Sequence, residues 1–82
     1  MPQRLKEARL EVGLSQKHLG IEAGIDEFSA SPRINQYEKG IHAPSYDMVR
    51  RIGEVLNLPV AYFYADDEGL AAVIKKHHRK KS

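Results

Sequence analysis

Residues 14–24 read Leu14-Ser15-Gln16-Lys17-His18-Leu19-Gly20-Ile21-Glu22-Ala23-Gly24, and residues 34–40 read Ile34-Asn35-Gln36-Tyr37-Glu38-Lys39-Gly40. A third block runs Pro44-Ser45-Tyr46-Asp47-Met48-Val49-Arg50-Arg51-Ile52-Gly53-Glu54-Val55-Leu56. These blocks share a pattern of capped starts, small residues where two helices must approach, and glycine exits. Ser15 is placed to cap a helix that carries Leu19 and Ala23 four residues apart, and Gly24 closes it.

Working outward, the spacing predicts helices on both sides. Pro2 suits a first helical turn, Leu5, Ala8 and Val12 fall at i, i+3 and i+7, and Gly13 is a stop, so a first helix is expected over about Pro2–Val12. Residues 25–31 read as a linking stretch. Ser31 followed by Pro32 reads as N-cap and first residue of a third helix ending at Gly40. After the loop Ile41-His42-Ala43-Pro44, Ser45 caps a fourth helix to Leu56, with Asp47 favoured in its first turn by the helix dipole. Pro59 opens a fifth helix through Tyr64, and Asp66 or Asp67 caps a sixth from Glu68 to about His78. The end, from Arg79, is expected to fray. No alternating β-branched run and no hairpin dipeptide occurs, so the fold class is all-α, with five to six helices. The expected organisation is a body over 1–64 and a C-terminal helix with a basic tail over 65–82.

Together the blocks resemble the helix-turn-helix domain of the phage-repressor (Cro/xenobiotic-response-element) family over roughly residues 2–64. Leu14-Ser15-Gln16, Gly24, Ile34, Glu38 with Gly40, Pro44-Ser45, and Ile52 with Leu56 fall at the family's positions. The resemblance implies a lambda-repressor-like fold whose second helix crosses the DNA backbone and whose third lies in the major groove. It also implies roles for side chains. Gln16 matches a position that bonds a phosphate or an outer base, or is simply the first residue of its helix. Ser31, Arg33, Asn35 and Gln36 are expected outward on the third helix, with Ile34 facing in. Asn and Gln pair with adenine and Arg with guanine in the major groove, and Gln36 is the first choice for a base contact. Arg33 suits a base or a phosphate, and Pro32 only a thymine methyl. Lys17, Lys39, His42 and Ser45 are the candidates for the DNA backbone, beside the dipole of the fourth helix, with Arg4 a further approach. Solvated helix faces are the bland alternative for each. Arg9 and Glu38 match a structural ion pair that fixes orientation, with a phosphate contact the alternative for Arg9.

One departure from the family stands out. Gly24 to Ile34 is ten residues where the family has six, so four extra residues sit near Asp26-Glu27-Phe28-Ser29-Ala30. They are expected to form a loop or a helical turn before the third helix, with Phe28 anchored in the core and Asp26 and Glu27 near the DNA, where they repel phosphate.

Repressors of this type dimerise to reach two half-sites. A homodimer surface is expected at the C-terminal end, on Tyr62 or Tyr64 with Leu70 and Val73, while Phe63 closes the core. The alternative is a monomer whose sixth helix folds back on its own core.

The chain has 82 residues, no cysteine, and a net charge of +2. Its length fits one domain. Without cysteine there is no disulfide framework or thiolate zinc site, as suits a reducing cytoplasm. No apolar run approaches the ~20 residues of a membrane helix, and the start shows no signal-peptide pattern. Lys75, Lys76, Arg79, Lys80 and Lys81 supply +5, leaving eight basic against eleven acidic side chains over 1–74, a net of −3. The tail reads as a flexible arm for phosphate attraction or as a solubilising end. His77 and His78 are adjacent, so they diverge by about 100° on a helix and do not make a metal site. No metal, cofactor or small-molecule ligand is evident. An enzyme is not expected: there is no glycine-rich phosphate loop or Cys nucleophile, and Ser15, Ser31 and Ser45 all read as caps. The function expected is a cytoplasmic, sequence-specific DNA-binding regulator acting on a double-stranded operator, a simple repressor without a sensory domain. The rival is an antitoxin or protein-interaction adaptor on the same fold, to which the acidic body lends weight.

Overall fold

A computed structural model describes residues 1–81. The described residues form six helices and no strand: α1 (Pro2–Glu11), α2 (Gln16–Glu22), α3 (Glu27–Glu38), α4 (Tyr46–Leu56), α5 (Val60–Tyr64) and α6 (Glu68–Lys81). The all-α expectation holds. Caps fall where the side chains can make them. The Ser15 hydroxyl accepts from the His18 N–H and the Ser45 hydroxyl from the Met48 N–H, satisfying donors that a helix start leaves open. Asn57, in the left-handed region at φ 57°, ends α4, and the Asp67 carboxylate accepts from the Leu70 N–H at the start of α6.

The start of α3 differs from the expectation. Its N-cap is Asp26, whose carboxylate accepts from the N–H groups of Phe28 and Ser29, and Pro32 lies inside the helix. Ser-Pro and Asp-Glu are both sound helix starts, and here the earlier one prevails. The four extra residues are therefore one more turn of α3. A turn takes about 3.6 residues, so four residues bring the chain back to nearly the same face ~6 Å further along. Ala30 and Ile34 both face inward as a result, each fully buried. The inserted turn extends the helix without rotating its inner stripe out of the core.

α2 and α3 approach tightly at Gly20 and Ala30. A Cβ on Gly20 would stand 2.7 Å from the Ala30 Cβ and 2.9 Å from its Cα, so only glycine permits this approach. Gly24 takes φ +96° between the helices, a backbone region that costs other residues dearly. The core runs through Leu5 and Ala8 of α1, Leu19 of α2 and Ala23 at its C-cap, Ile34 and Tyr37 of α3, Ile52 and Leu56 of α4, and Phe63 of α5. Val12, expected on the inner stripe of α1, is half exposed.

The C-terminal end is more ordered than expected. α6 continues helically through Arg79 and Lys80 to Lys81, and Ser82 and the side chain of Lys81 lie outside the described residues. Lys75 and Arg79 both bond the Glu11 carboxylate, Lys75 at 3.0 Å, and Arg79 also donates to the Leu56 carbonyl at 3.1 Å. Two of the five tail cations are thus engaged with α1, which corrects the reading of a free, flexible arm. Arg4 is buried as well. It bonds the Ala65 carbonyl at 3.1 Å, reaches Glu68 at 3.4 Å and lies over the Tyr62 ring. It is a brace for the α5–α6 corner, and its approach to a DNA backbone is corrected accordingly.

Candidate nucleic-acid interface

The third helix is held at both ends. At its C-terminal end Arg9 of α1 forks onto Glu38: Nε donates to Oε2 at 2.6 Å and an Nη to Oε1 at 3.1 Å. The other Arg9 Nη donates to the Leu14 carbonyl at 2.8 Å, and Gln16 Nε2 donates to Glu38 Oε1 at 3.1 Å. The side chains of Arg9 and Glu38 are 9% and 3% exposed. Four groups from α1, the α1–α2 turn, α2 and α3 thus share one buried knot, in which charge and hydrogen-bonding capacity are both met. The expected Arg9–Glu38 pair is present. At the other end, the Gly20–Ala30 contact and the Asp26 cap set where α3 begins.

With Ala30, Ile34 and Tyr37 buried, the opposite face is set by the ~100° step per residue. Phe28, Pro32 and Lys39 lie along the middle of that face, with Asn35 and Gln36 on either side. Phe28, Pro32, Arg33, Gln36 and Lys39 are exposed, and Ser31 and Asn35 half-buried. Arg33 and Ser31 stand on the two flanks. Phe28 is 90% exposed, so the expectation that it anchors the inserted turn in the core is wrong. Ala30, two residues on, takes that place.

The remaining candidates line the edges. Lys17 is exposed and stands 3.8 Å from the Glu27 carboxylate, across from the head of α3. His42 is exposed in the loop after α3, and Ser45 opens α4 with its hydroxyl already engaged as a cap. Gln16 is half-buried, with one amide N–H given to Glu38. Asp26 is held below the usual carboxylate range, chiefly by the Ser29 side chain and then by the Ser29 N–H. Of the proposed partner-facing residues, Tyr64, Leu70 and Val73 are 51%, 52% and 64% exposed, but Tyr62 is 5% exposed beneath Arg4. Tyr62 packs edge-on against Phe63, and its place on an exposed dimer surface is corrected.

Residues 5–63 match the family model described as Helix-turn-helix. The chain belongs to the helix-turn-helix family. Its type is that of Cro and C1, the xenobiotic-response-element class of DNA-binding transcriptional regulators. It is 33% identical over 66 residues to an uncharacterized HTH-type transcriptional regulator of Sinorhizobium medicae (strain WSM419), and equally to one of Rhizobium meliloti (strain 1021). Each match covers 80% of this chain and 45% of the relative, so the chain spans less than half the length of these curated relatives. The crystal structure of transcriptional regulator BswR matches with a TM-score of 0.89 and 45% identity, over 95% of this chain and 77% of that one. No helix among the described residues is long and apolar enough to cross a membrane.

Within the helix-turn-helix frame, two features escaped sequence reading. The Gly20–Ala30 crossing is hidden because the sequence reading leaves Ala30 in the linking stretch before the third helix, whereas Ala30 lies in α3. The outward position of Phe28 follows only from Asp26 starting α3, which the sequence reading, with its helix start at Ser31-Pro32, does not give.

Proposed function

We propose that this helix-turn-helix chain is a sequence-specific DNA-binding regulator, acting as a repressor by seating the outer face of α3 in the major groove of a double-stranded operator. The observation that carries this reading is the outer face itself. It is a groove-sized helix, braced by the Arg9–Glu38–Gln16 knot, presenting Asn35 and Gln36 beside the cations Arg33 and Lys39. A helix fits the ~12 Å groove, and these side chains match the donor and acceptor pattern of base edges. Gln36 reads a base, and Asn35 and Arg33 flank it. Ser31 lies on the flank, a turn inside the helix, where it meets the groove wall. Lys39, Lys17, His42, Ser45 through its backbone, and the second amide N–H of Gln16 meet phosphates, which position the helix without reading sequence.

One copy, 35 Å in its longest dimension, covers about one half-site, since half-sites recur ~34 Å apart. A homodimer joined through Tyr64, Leu70 and Val73 would span two. The chemistry is binding alone, with no catalytic step.

Selection of bound sequences from a random duplex pool tests the reading. Enrichment of a shared motif at moderate salt supports it. Binding without enrichment even at low salt, or none at all, contradicts it and favours a protein-binding adaptor, the reading to which the acidic body and the exposed Phe28 would then belong.

A further inference from the structure

We infer that the inserted turn of α3 adds a second, apolar reading element: Phe28 and Pro32 form a ridge that contacts thymine methyl groups next to the base pair read by Gln36. This rests on the DNA-reading role proposed for α3. Phe28, Pro32 and Gln36 are spaced four and four, so they rise along one side of the helix, and all three are exposed. Among the described residues nothing covers Phe28, which is 90% exposed. The ridge offers little for hydrogen-bonding readout. Phe carries no polar side-chain atom, and Pro32 has neither a polar side chain nor a backbone N–H. What such a surface distinguishes in a major groove is the C5-methyl of thymine, the one apolar group on the base edges there.

The acidic residues at this end do not cancel the attraction. The Asp26 carboxylate is turned onto the N–H groups of Phe28 and Ser29, and Glu27 lies 3.8 Å from the Lys17 ammonium. Both charges are therefore partly met where α3 would enter the groove. Phe28 and Gln36 are eight residues apart, about 12 Å along a helix at ~1.5 Å per residue. With base pairs ~3.4 Å apart, the methyl contacts fall within about four base pairs of the one that Gln36 reads.

The test uses the duplex selected by the full chain, with each thymine replaced singly by 2′-deoxyuridine, which lacks only the methyl. Wild type should lose about fourfold in affinity at one or two thymines in that span, the factor expected for one buried methyl-sized group. Phe28→Ala should lose this sensitivity at the position nearest the head of α3 while keeping the preference read by Gln36, and Phe28→Leu should retain part of it. Indifference of wild type to every such replacement within the span overturns the inference and leaves the DNA-reading role standing. So does unchanged uridine sensitivity in Phe28→Ala. Loss of self-association in Phe28→Ala at unaltered half-site affinity would place Phe28 in a protein contact and overturn it as well. If no duplex is selected, both the DNA-reading role and this inference fall.

Discussion

Arg9 and Glu38 lie 29 positions apart in the chain, yet they form a two-pronged, nearly buried pair that also takes up Gln16 and the Leu14 carbonyl. The pair fastens the exit of α3 to α1 and to the entry of α2. Removing one partner leaves the other charge buried without its counterpart, which is more costly than the net worth of the pair. Glu38→Gln should therefore lower the unfolding free energy by about 3 kcal/mol, measured by urea denaturation. A loss below about 0.5 kcal/mol, the range of ordinary surface substitutions, would mean that the pair is structurally idle.

The α2–α3 crossing should be as intolerant. Gly20→Ala places a methyl against Ala30 backbone and side chain alike, and neither can move without shifting a helix. The gain in helix propensity, up to about 1 kcal/mol, is outweighed by overpacking of about 1–3 kcal/mol. Thermal denaturation should show a lower Tm. Because the substitution tilts α3 against α2, affinity for the selected duplex should also fall.

Pro32 permits a test of where α3 begins. Inside a helix, proline removes the N–H that would reach the Phe28 carbonyl, at a cost of about 3 kcal/mol, partly offset by a stiffer unfolded chain, worth about 0.4–1 kcal/mol. Pro32→Ala should thus stabilise the protein by roughly 2–2.6 kcal/mol, raising Tm by about 8–20 °C in a domain of this size. Were Ser31 and Pro32 the cap and first turn, the same substitution would leave Tm level or lower it.

The clamp of α6 on α1 carries a pH dependence. Bonds from Arg79 first, then Lys75, hold the Glu11 carboxyl below its ordinary range. A depressed folded-state value means that the contribution is fully present above the ordinary glutamate range and is lost as pH falls through the depressed value. Hydrogen-exchange protection over residues 75–79, the rate corrected for the intrinsic pH dependence of amide exchange, should be high near neutrality and fall on acidification. Glu11→Gln should show the faster exchange at neutral pH already. Equal exchange in both proteins at neutral pH would contradict the clamp.

Much of this was legible in the chain. Ser15 and Ser45 mark helix starts through local hydrogen bonding, Gly13, Gly24 and Gly40 mark helix ends through their positive φ, and Arg9, Glu38, Ile34 and Leu56 fall where the family places them. What escaped notice was decided by competition between good local signals. Ser31-Pro32 and Asp26-Glu27 are both valid helix starts, and the core chose between them by burying Ala30 as well as Ile34. That choice turned Phe28 outward. The tail misled for a related reason: Lys75 and Arg79 look like members of a solvated basic run, and only the return of α6 across α1 brings them to Glu11. Tyr62, likewise, is indistinguishable from Tyr64 by residue type, and its burial follows from the side of the five-residue α5 on which it falls.

The role of α3 is tested most directly by measuring the affinities of wild type, Gln36→Ala and Lys39→Ala for every single-base variant of the selected duplex. Gln36→Ala should flatten the preference at one base pair, by about 1–3 kcal/mol, and leave the others as they are. Lys39→Ala should weaken all sequences alike and reduce the salt dependence. A uniform loss from both substitutions, or no loss from Gln36→Ala at any base pair, would contradict the placing of α3 in the groove.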